Sequence, residues 1–170
     1  VFAALEEKQL VPTLESNENY TAAEREALQA LLGCPEAQII SAQQFAAKHA
    51  YTETECATYQ AMQALIDDLN TMHSRAGAQT PFSSLNYGTD TSPEGRMVIK
   101  NMLLAEQTGL GHGETPIFPI HIFKVKEGVN FNPVDPNYDL FRLACKVSAK
   151  RLFPNFSFLD APFNLQYYKE

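Results

Sequence analysis

A chain of 170 residues, 45% of them apolar, has the size of one ordinary domain and enough material for a buried core. Its formal net charge of −7 and sequence pI of about 5.1 argue against a surface that binds nucleic acid or another polyanion. No run of about 18 apolar residues occurs, so no transmembrane helix is expected, and the opening VFAALEEKQLVPTLESNENY lacks the basic start and long apolar stretch of a secretory signal.

In chain order, Thr21 is placed to cap a helix over 21–32, with Glu24 completing a capping box and Gly33 where the helix should stop. Ile39 and Ile40 suit a brief extended segment, and Ser41 a cap for a short helix through Lys48. Thr52 and Glu55 form a second capping box. The helix it opens repeats Cys56, Tyr59, Met62, Ile66, Leu69 and His73 at three- and four-residue spacing, with Asp67 and Asp68 on its polar side. Ala76, Gly77, Ala78 and Gln79 show no periodicity and read as a loop. Pro81 then pushes Thr80 towards extended geometry.

Phe82 to Tyr87 alternates Phe82, Ser84 and Asn86 with Ser83, Leu85 and Tyr87, which predicts a short strand. Ser92-Pro93-Glu94 opens a helix that runs to about Thr108, with Gly109 as terminator. Ile117 to Val125 is apolar on both faces and reads as a strand between layers, although Pro119 cannot donate to a sheet ladder and predicts a bulge or unpaired edge. Asp135-Pro136 opens a helix to about Lys150, with Tyr138, Phe141, Leu143, Cys145 and Val147 largely buried. Leu152 to Leu159 reads as a further extended element. Strand alternating with helix predicts an α/β protein with crossovers.

Gly109-Leu110-Gly111-His112-Gly113 follows a helix and lacks the Gly-Lys-Ser/Thr of a phosphate loop, so it reads as a turn. His49, His73, His112 and His121 have no ligand spacing with the cysteines or one another, and no metal site is expected from this chain. His121 alternates with Phe123 and suits a hydrogen-bonded core position. Three widely separated cysteines, Cys34, Cys56 and Cys145, fit a reducing cytosolic compartment better than a disulfide framework. Cys145 is expected to be a buried, inert thiol, and Cys34 to be more exposed. The polar stretch of Ser74, Arg75, Gln79, Ser83, Ser84 and Asn86 suits either a ligand-contacting loop or a solvated one.

The strings NTMHSRAGAQTPFSSLNYGTD (70–90), GETPIFPIHIFKVKEGVN (113–130) and DPNYDLFRLACKVSAKRLFPNFSFLDAPFN (135–164) closely resemble anaerobic (class III) ribonucleoside-triphosphate reductases. The resemblance covers about Tyr59 to the C-terminus. It implies part of a ten-stranded α/β barrel. Residues 1–170 would form a single partial domain, with about 1–50 a helical lead-in and 51–170 a barrel core segment. It further implies a cytoplasmic, dimeric parent enzyme that reduces ribonucleoside triphosphates to deoxyribonucleotides. A glycyl radical would generate a thiyl radical there, with formate as the usual reductant, a separate S-adenosylmethionine/iron–sulfur activase, and zinc near the parent's C-terminus.

The lack of an initiator Met suggests a chain that begins inside something longer. The family's thiyl cysteine, in a Met-Gly-Cys-Arg context shortly after a stretch like Asn155 to Tyr168, is not found here, and Cys34, Cys56 and Cys145 match none of the family's cysteine roles. The isolated chain is therefore expected to hold no cofactor and to be catalytically inert. The resemblance implies a regulatory role for the loop from Ser74 to Thr80, relaying the identity of a bound deoxynucleotide or ATP effector to the substrate base. The candidate substrate- and effector-binding residues are Ser74, Arg75, Ala76, Gly77, Gln79, Ser83, Ser84 and Asn86, and the helix from Thr52 to Met72 would supply part of the effector-binding dimer face. Another glycyl-radical enzyme of formate-lyase type, or a non-catalytic nucleotide-binding module, remains an alternative. The strings 74–90 and 153–164 favour the reductase.

Overall fold

The computed structural model describes residues 1–15, 17–73 and 79–167. Two compact units emerge, Val1–Cys56 and Ala57–Glu170. In the first unit α1 (Phe2–Glu7) precedes α2 (Glu18–Leu32) and the first part of α3 (Glu36–Thr71). Asn17, rather than Thr21, caps α2: its Oδ1 accepts from the backbone N–H groups of Asn19 and Tyr20. Gly33 closes the helix in the left-handed region at φ 61°. Gln43 Nε2 ties α3 to α2 by donating to Thr21 O at 3.0 Å and to Glu24 Oε2 at 2.8 Å.

The two helices expected over 41–48 and 52–73 are one continuous helix, α3, which also absorbs Ile39 and Ile40. No Gly or Pro interrupts 36–71. Thr52, expected to cap, turns its hydroxyl back to Lys48 O at 3.0 Å, and Thr54 does the same to Ala50 O at 2.7 Å. Such back-bonding leaves a threonine compatible with a helix interior.

In the second unit β1 (Ser84–Tyr87), α4 (Pro93–Thr108), β2 (Ile120–Val125), α5 (Tyr138–Arg151) and β3 (Asn155–Phe158) alternate. All strand pairs are parallel, in the order β1-β2-β3. This is the α/β class the sequence predicts. Because successive strands are also neighbours, both crossovers travel the same way and leave their helices on one face. Ile99 and Leu103 of α4, Phe123 and Val125 of β2, and Leu140, Ala144 and Val147 of α5 form the core there. The C-terminal part of α3 adds Ile66, against Met102, Ala105, Leu85 and Tyr87.

Ser92 caps α4 through Oγ, which accepts from Gly95 N at 3.0 Å, with Pro93 in the first turn and Gly109 ending the helix, as expected. The C-terminal carbonyls of α4 have an unusual partner. Arg151, 8% exposed, donates to Gln107 O at 3.0 Å, Thr108 O at 2.6 Å and Gly113 O at 2.7 Å. A guanidinium there satisfies orphan helix acceptors and complements the negative end of the helix dipole.

Two fully buried asparagines join the loops after β1 and β2. Asn130 Nδ2 donates to Gly88 O and Lys124 O, both at 2.9 Å, while its Oδ1 accepts from Lys126 N at 2.9 Å. Asn137 Nδ2 donates to Asp90 O at 2.7 Å and Gly88 O at 3.3 Å, and Arg96 donates to its Oδ1 at 2.6 Å. Gly88 has φ 124°, and a Cβ there would sit 2.7 Å from Lys124 O, so only glycine fits.

The strand expected over 117–125 begins at Ile120, after Pro119. Proline has no N–H for the ladder, and the residues before it bond instead to the Asn70 side chain. β2 is covered on one face rather than two: His121, Phe123 and Val125 are buried, while Ile120, Ile122 and Lys124 are half-buried. α5 starts at Tyr138, not Asp135, whose carboxyl bonds Asn132 N in the preceding turn. Its inward stripe is Leu140, Ala144, Val147 and Arg151. Cys145 falls one position off that stripe and is exposed, contrary to expectation, whereas Cys34 is only half-buried. Partial burial still holds the Cys145 thiol above its ordinary pKa.

Candidate functional site

Parallel pairing fixes which side chains share a face. Ser84 is opposite Ile120, Asn86 opposite Ile122, Ile122 opposite Asn155, and Lys124 opposite Ser157. Asn86, Ile122 and Asn155 therefore form a row across all three strands, with Ser84 and Ser157 diagonal to it. This face lies away from the core helices, and Ser84, Asn86 and Asn155 on it are exposed. It presents amide and hydroxyl groups beside a half-buried aliphatic strip and Lys124. Such a surface can hydrogen-bond a neutral polar ligand while the aliphatic strip meets a flat apolar one.

Of the sequence-derived candidates, Ser84 and Asn86 are thus brought together on one open face. Ser83 is turned the other way. Its Oγ is buried without a hydrogen-bond partner among the described residues, and its backbone oxygen accepts from Ile120 N at 2.9 Å. Gln79 is exposed and forms an isolated bridge. Ser74, Arg75, Ala76 and Gly77 lie outside the described residues. Phe82, 82% exposed, stacks edge-on against Phe118 at 5.4 Å between centroids. Asn155 and Ser157 join the face without having been singled out from sequence. The alternation of Asn-Phe-Ser-Phe over 155–158 carries that signal.

The covered face holds a second polar group. His121 is fully buried, and its Nδ1 lies 2.9 Å from Tyr87 Oη, as expected of a hydrogen-bonded core histidine. Its Nε2 lies 3.2 Å from Glu106 Oε2 on α4. That separation is within ion-pair range but off hydrogen-bond alignment, so among the described residues neither Glu106 oxygen has a hydrogen-bond partner. Burial, and next the nearby Glu106 charge, push the Tyr87 phenol well above its ordinary pKa. Near the start of α4, hydrogen bonds from Ser92 hold the exposed Asp90 carboxyl below the usual carboxylate range.

A cavity of about 260 Å³ opens at the C-terminal ends of β2 and β3, lined by Val125, Glu127, Phe131, Phe158, Asp160 and Ala161. None of the sequence-derived site residues lines it. Among the described residues no three His, Cys, Asp or Glu side chains gather into a group that could hold a metal ion, and no helix is long and apolar enough to cross a membrane.

A parallel sheet with helices on one face defines an α/β segment whose other face carries hydrogen-bonding groups. Residues 31–170 match the family model of the anaerobic ribonucleoside-triphosphate reductases. Three similar relatives carry that name: one from Enterobacteria phage T4, 42% identical over 111 residues, or 65% of this chain and 18% of the relative; one from Haemophilus influenzae, 39% identical over 107 residues, 62% and 15%; and one from Escherichia coli, 38% identical over 105 residues, 61% and 14%. The chain belongs to the anaerobic ribonucleoside-triphosphate reductase family, an oxidoreductase family, and spans less than a fifth of the length of these relatives.

Proposed function

We propose that this chain forms part of the wall of the reaction barrel in a longer anaerobic ribonucleotide reductase. The parent enzyme reduces ribonucleoside triphosphates to 2′-deoxyribonucleoside triphosphates in the cytoplasm, as a homodimer, with formate as reductant. A glycyl radical, installed by a radical S-adenosylmethionine activase, supplies the hydrogen-abstraction chemistry. The radical glycine, thiyl cysteine and zinc ligands belong to other parts of the parent. Cys34, Cys56 and Cys145 take none of those roles, so the isolated chain is inert.

The observation that supports this reading is the open face of β1-β2-β3. Helices on one side only are the arrangement of a barrel wall, whose strands turn their other side inward. On that side Ser84 and Asn86 bind substrate, joined by Asn155 and Ser157. Arg75 and Gln79, in the loop containing Ser74, Ala76 and Gly77, relay the bound effector's identity to the substrate base. Ser83, facing the covered side, supports the stem of that loop. The C-terminal part of α3 contributes to the effector-binding dimer face.

The test is Arg75→Ala in the parent enzyme, with the product ratio from mixed ribonucleoside triphosphates measured under each effector. The proposal expects the effector-dependent ratios to converge. Ratios that stay as in the unaltered enzyme would remove the loop from the relay.

A further inference from the structure

The open face does not stop where β1 begins. Phe82, Ser84 and Asn86 are exposed, and Ser83 and Leu85 between them are half-buried, so the alternation extends upstream of the strand. The pairing extends too, because Ile120 N donates to Ser83 O at 2.9 Å. Ser84 is opposite Ile120, and continuing that register by two residues puts Phe82 level with Phe118. Their rings meet edge-on, 5.4 Å between centroids and 67° between planes. Phe82 is 82% exposed, which leaves a ring face open to a ligand. Its neighbour is held in place: Asn70 Oδ1 accepts from Phe118 N at 3.1 Å, and Asn70 Nδ2 donates to Phe118 O at 2.5 Å. Phe118 therefore fixes the tilt of the ring it touches.

Side chains on one face of a strand recur about every 6.6 Å, the scale of the spacing between base and sugar in a nucleoside. From the N-terminal end of the face the order is the Phe82–Phe118 pair, then Ser84, then Asn86 in the row with Asn155, then Lys124 beside Ser157. An aromatic surface, hydroxyl and amide groups, and a cation complement a base, a ribose and a phosphate chain in that order.

We propose that Phe82, backed by Phe118, is the stacking platform for the base of the ribonucleoside triphosphate, which lies along β1 with its base at the N-terminal end of the strand. This deepens the reading of the open face as the substrate side and rests on it. Stacking uses the flat face that every base has, not a particular hydrogen-bonding edge. The platform therefore accepts all four bases and holds purines, with their larger ring area, more tightly than pyrimidines.

The experiment uses the activated full-length parent enzyme carrying Phe82→Ala, Phe82→Leu or Phe82→Tyr, beside Asn86→Ala. KM and kcat are measured for GTP and for CTP, each with its effector saturating. Phe82→Ala should raise KM for GTP at least about 5-fold, the lower end of a lost base–aromatic stack, and raise KM for CTP less. The loss is one of binding, so kcat should stay within about 3-fold. Phe82→Leu keeps apolar bulk without an aromatic face and should behave like Ala. Phe82→Tyr should bring KM back to within about 2-fold of the unaltered enzyme, and it supplies the comparison with Leu if the Ala variant does not fold. Unchanged KM in the Phe82 variants, with Asn86→Ala lowering kcat/KM, would overturn the platform alone. No kinetic change in any variant would overturn the substrate face and the platform with it. Equal losses for GTP and CTP, with Leu as good as Phe, would make Phe82 a packing residue in the parent and overturn the proposal.

Discussion

Replacing Arg151 by methionine keeps the length and most of the apolar stem of the side chain but removes every donor. Three carbonyls, Gln107 O, Thr108 O and Gly113 O, then lose the guanidinium, and Gln107 O keeps only the Lys150 Nζ donor at 3.2 Å. A hydrogen bond from a charged donor contributes about 1.5–3 kcal/mol, but the three share one group and are not additive. Water reaches the turn at the end of α4 more easily than it reaches the core, which recovers part of the loss. The expected cost is about 3 kcal/mol, drawn from those bonds and the lost helix-dipole partner. For a chain of this length that corresponds to a fall in Tm of about 6–12 °C. Arg151→Lys retains one donor position of the fork and should cost about 2 kcal/mol. Urea unfolding of the 170-residue chain, followed by far-UV circular dichroism, measures both. A loss under about 1 kcal/mol for Arg151→Met would show that the carbonyls find other partners and would refute the argument.

Other substitutions probe the remaining features. Phe123→Ala removes a fully buried ring packed against Tyr87, Phe141 and Phe156, with an expected loss of about 3–5 kcal/mol in the same unfolding assay. Gly88→Ala forces a Cβ against Lys124 O at a φ that L residues avoid, and should cost more than about 1 kcal/mol. Asn86→Ala in the parent enzyme removes an exposed amide and should leave stability within about 0.5 kcal/mol. On the proposed function it should also lower kcat/KM about 3- to 10-fold, the worth of a single neutral hydrogen bond; unaltered kinetics would take Asn86 off the substrate face.

The Tyr87 phenol, raised in the folded state from its ordinary value of 10.0, keeps its proton after an unfolded tyrosine has lost one. The unfolded chain then binds fewer protons, so stability is fully present below about pH 10 and declines as pH rises beyond it. Urea midpoints at pH 9 and pH 11 should differ less in Tyr87→Phe than in the unaltered chain. Equal differences would exclude Tyr87 as a source of the slope.

Helix ends were legible where a single residue type decides the geometry. Ser92 with Pro93 and Glu94 starts α4, and Gly33 and Gly109 end α2 and α4, because capping depends on one hydroxyl or on freedom at positive φ. Strand faces were legible in β1 for the same local reason, period-two alternation. The unbroken α3 was not, because capping-box residues carry the same letters whether they start a helix or sit inside one. Nor were the long-range polar contacts. Asn130, Asn137, Arg151 and the Glu106–His121 approach join residues 15 to 49 positions apart, and no local pattern encodes such partners. Cys145 was misplaced because its helix is apolar on neighbouring positions, and only the packing of α5 selects which of them face the sheet. Of the candidate site, the strand residues could be assigned to faces from alternation alone, whereas the aperiodic loop offered only composition.

The one-sided winding of the sheet assigns its two surfaces different evolutionary freedom. Side chains that hold the unit together, such as Leu85, Tyr87, His121 and Phe123, alternate along the same strands with Ser84, Asn86, Ile122 and Lys124, which bury little against the helices. Most mutations are rejected through lost stability rather than lost contact with a ligand. Every second residue of β1 is therefore largely released from that filter, so lineages can change the chemistry of the open surface one position at a time while the fold underneath stays the same.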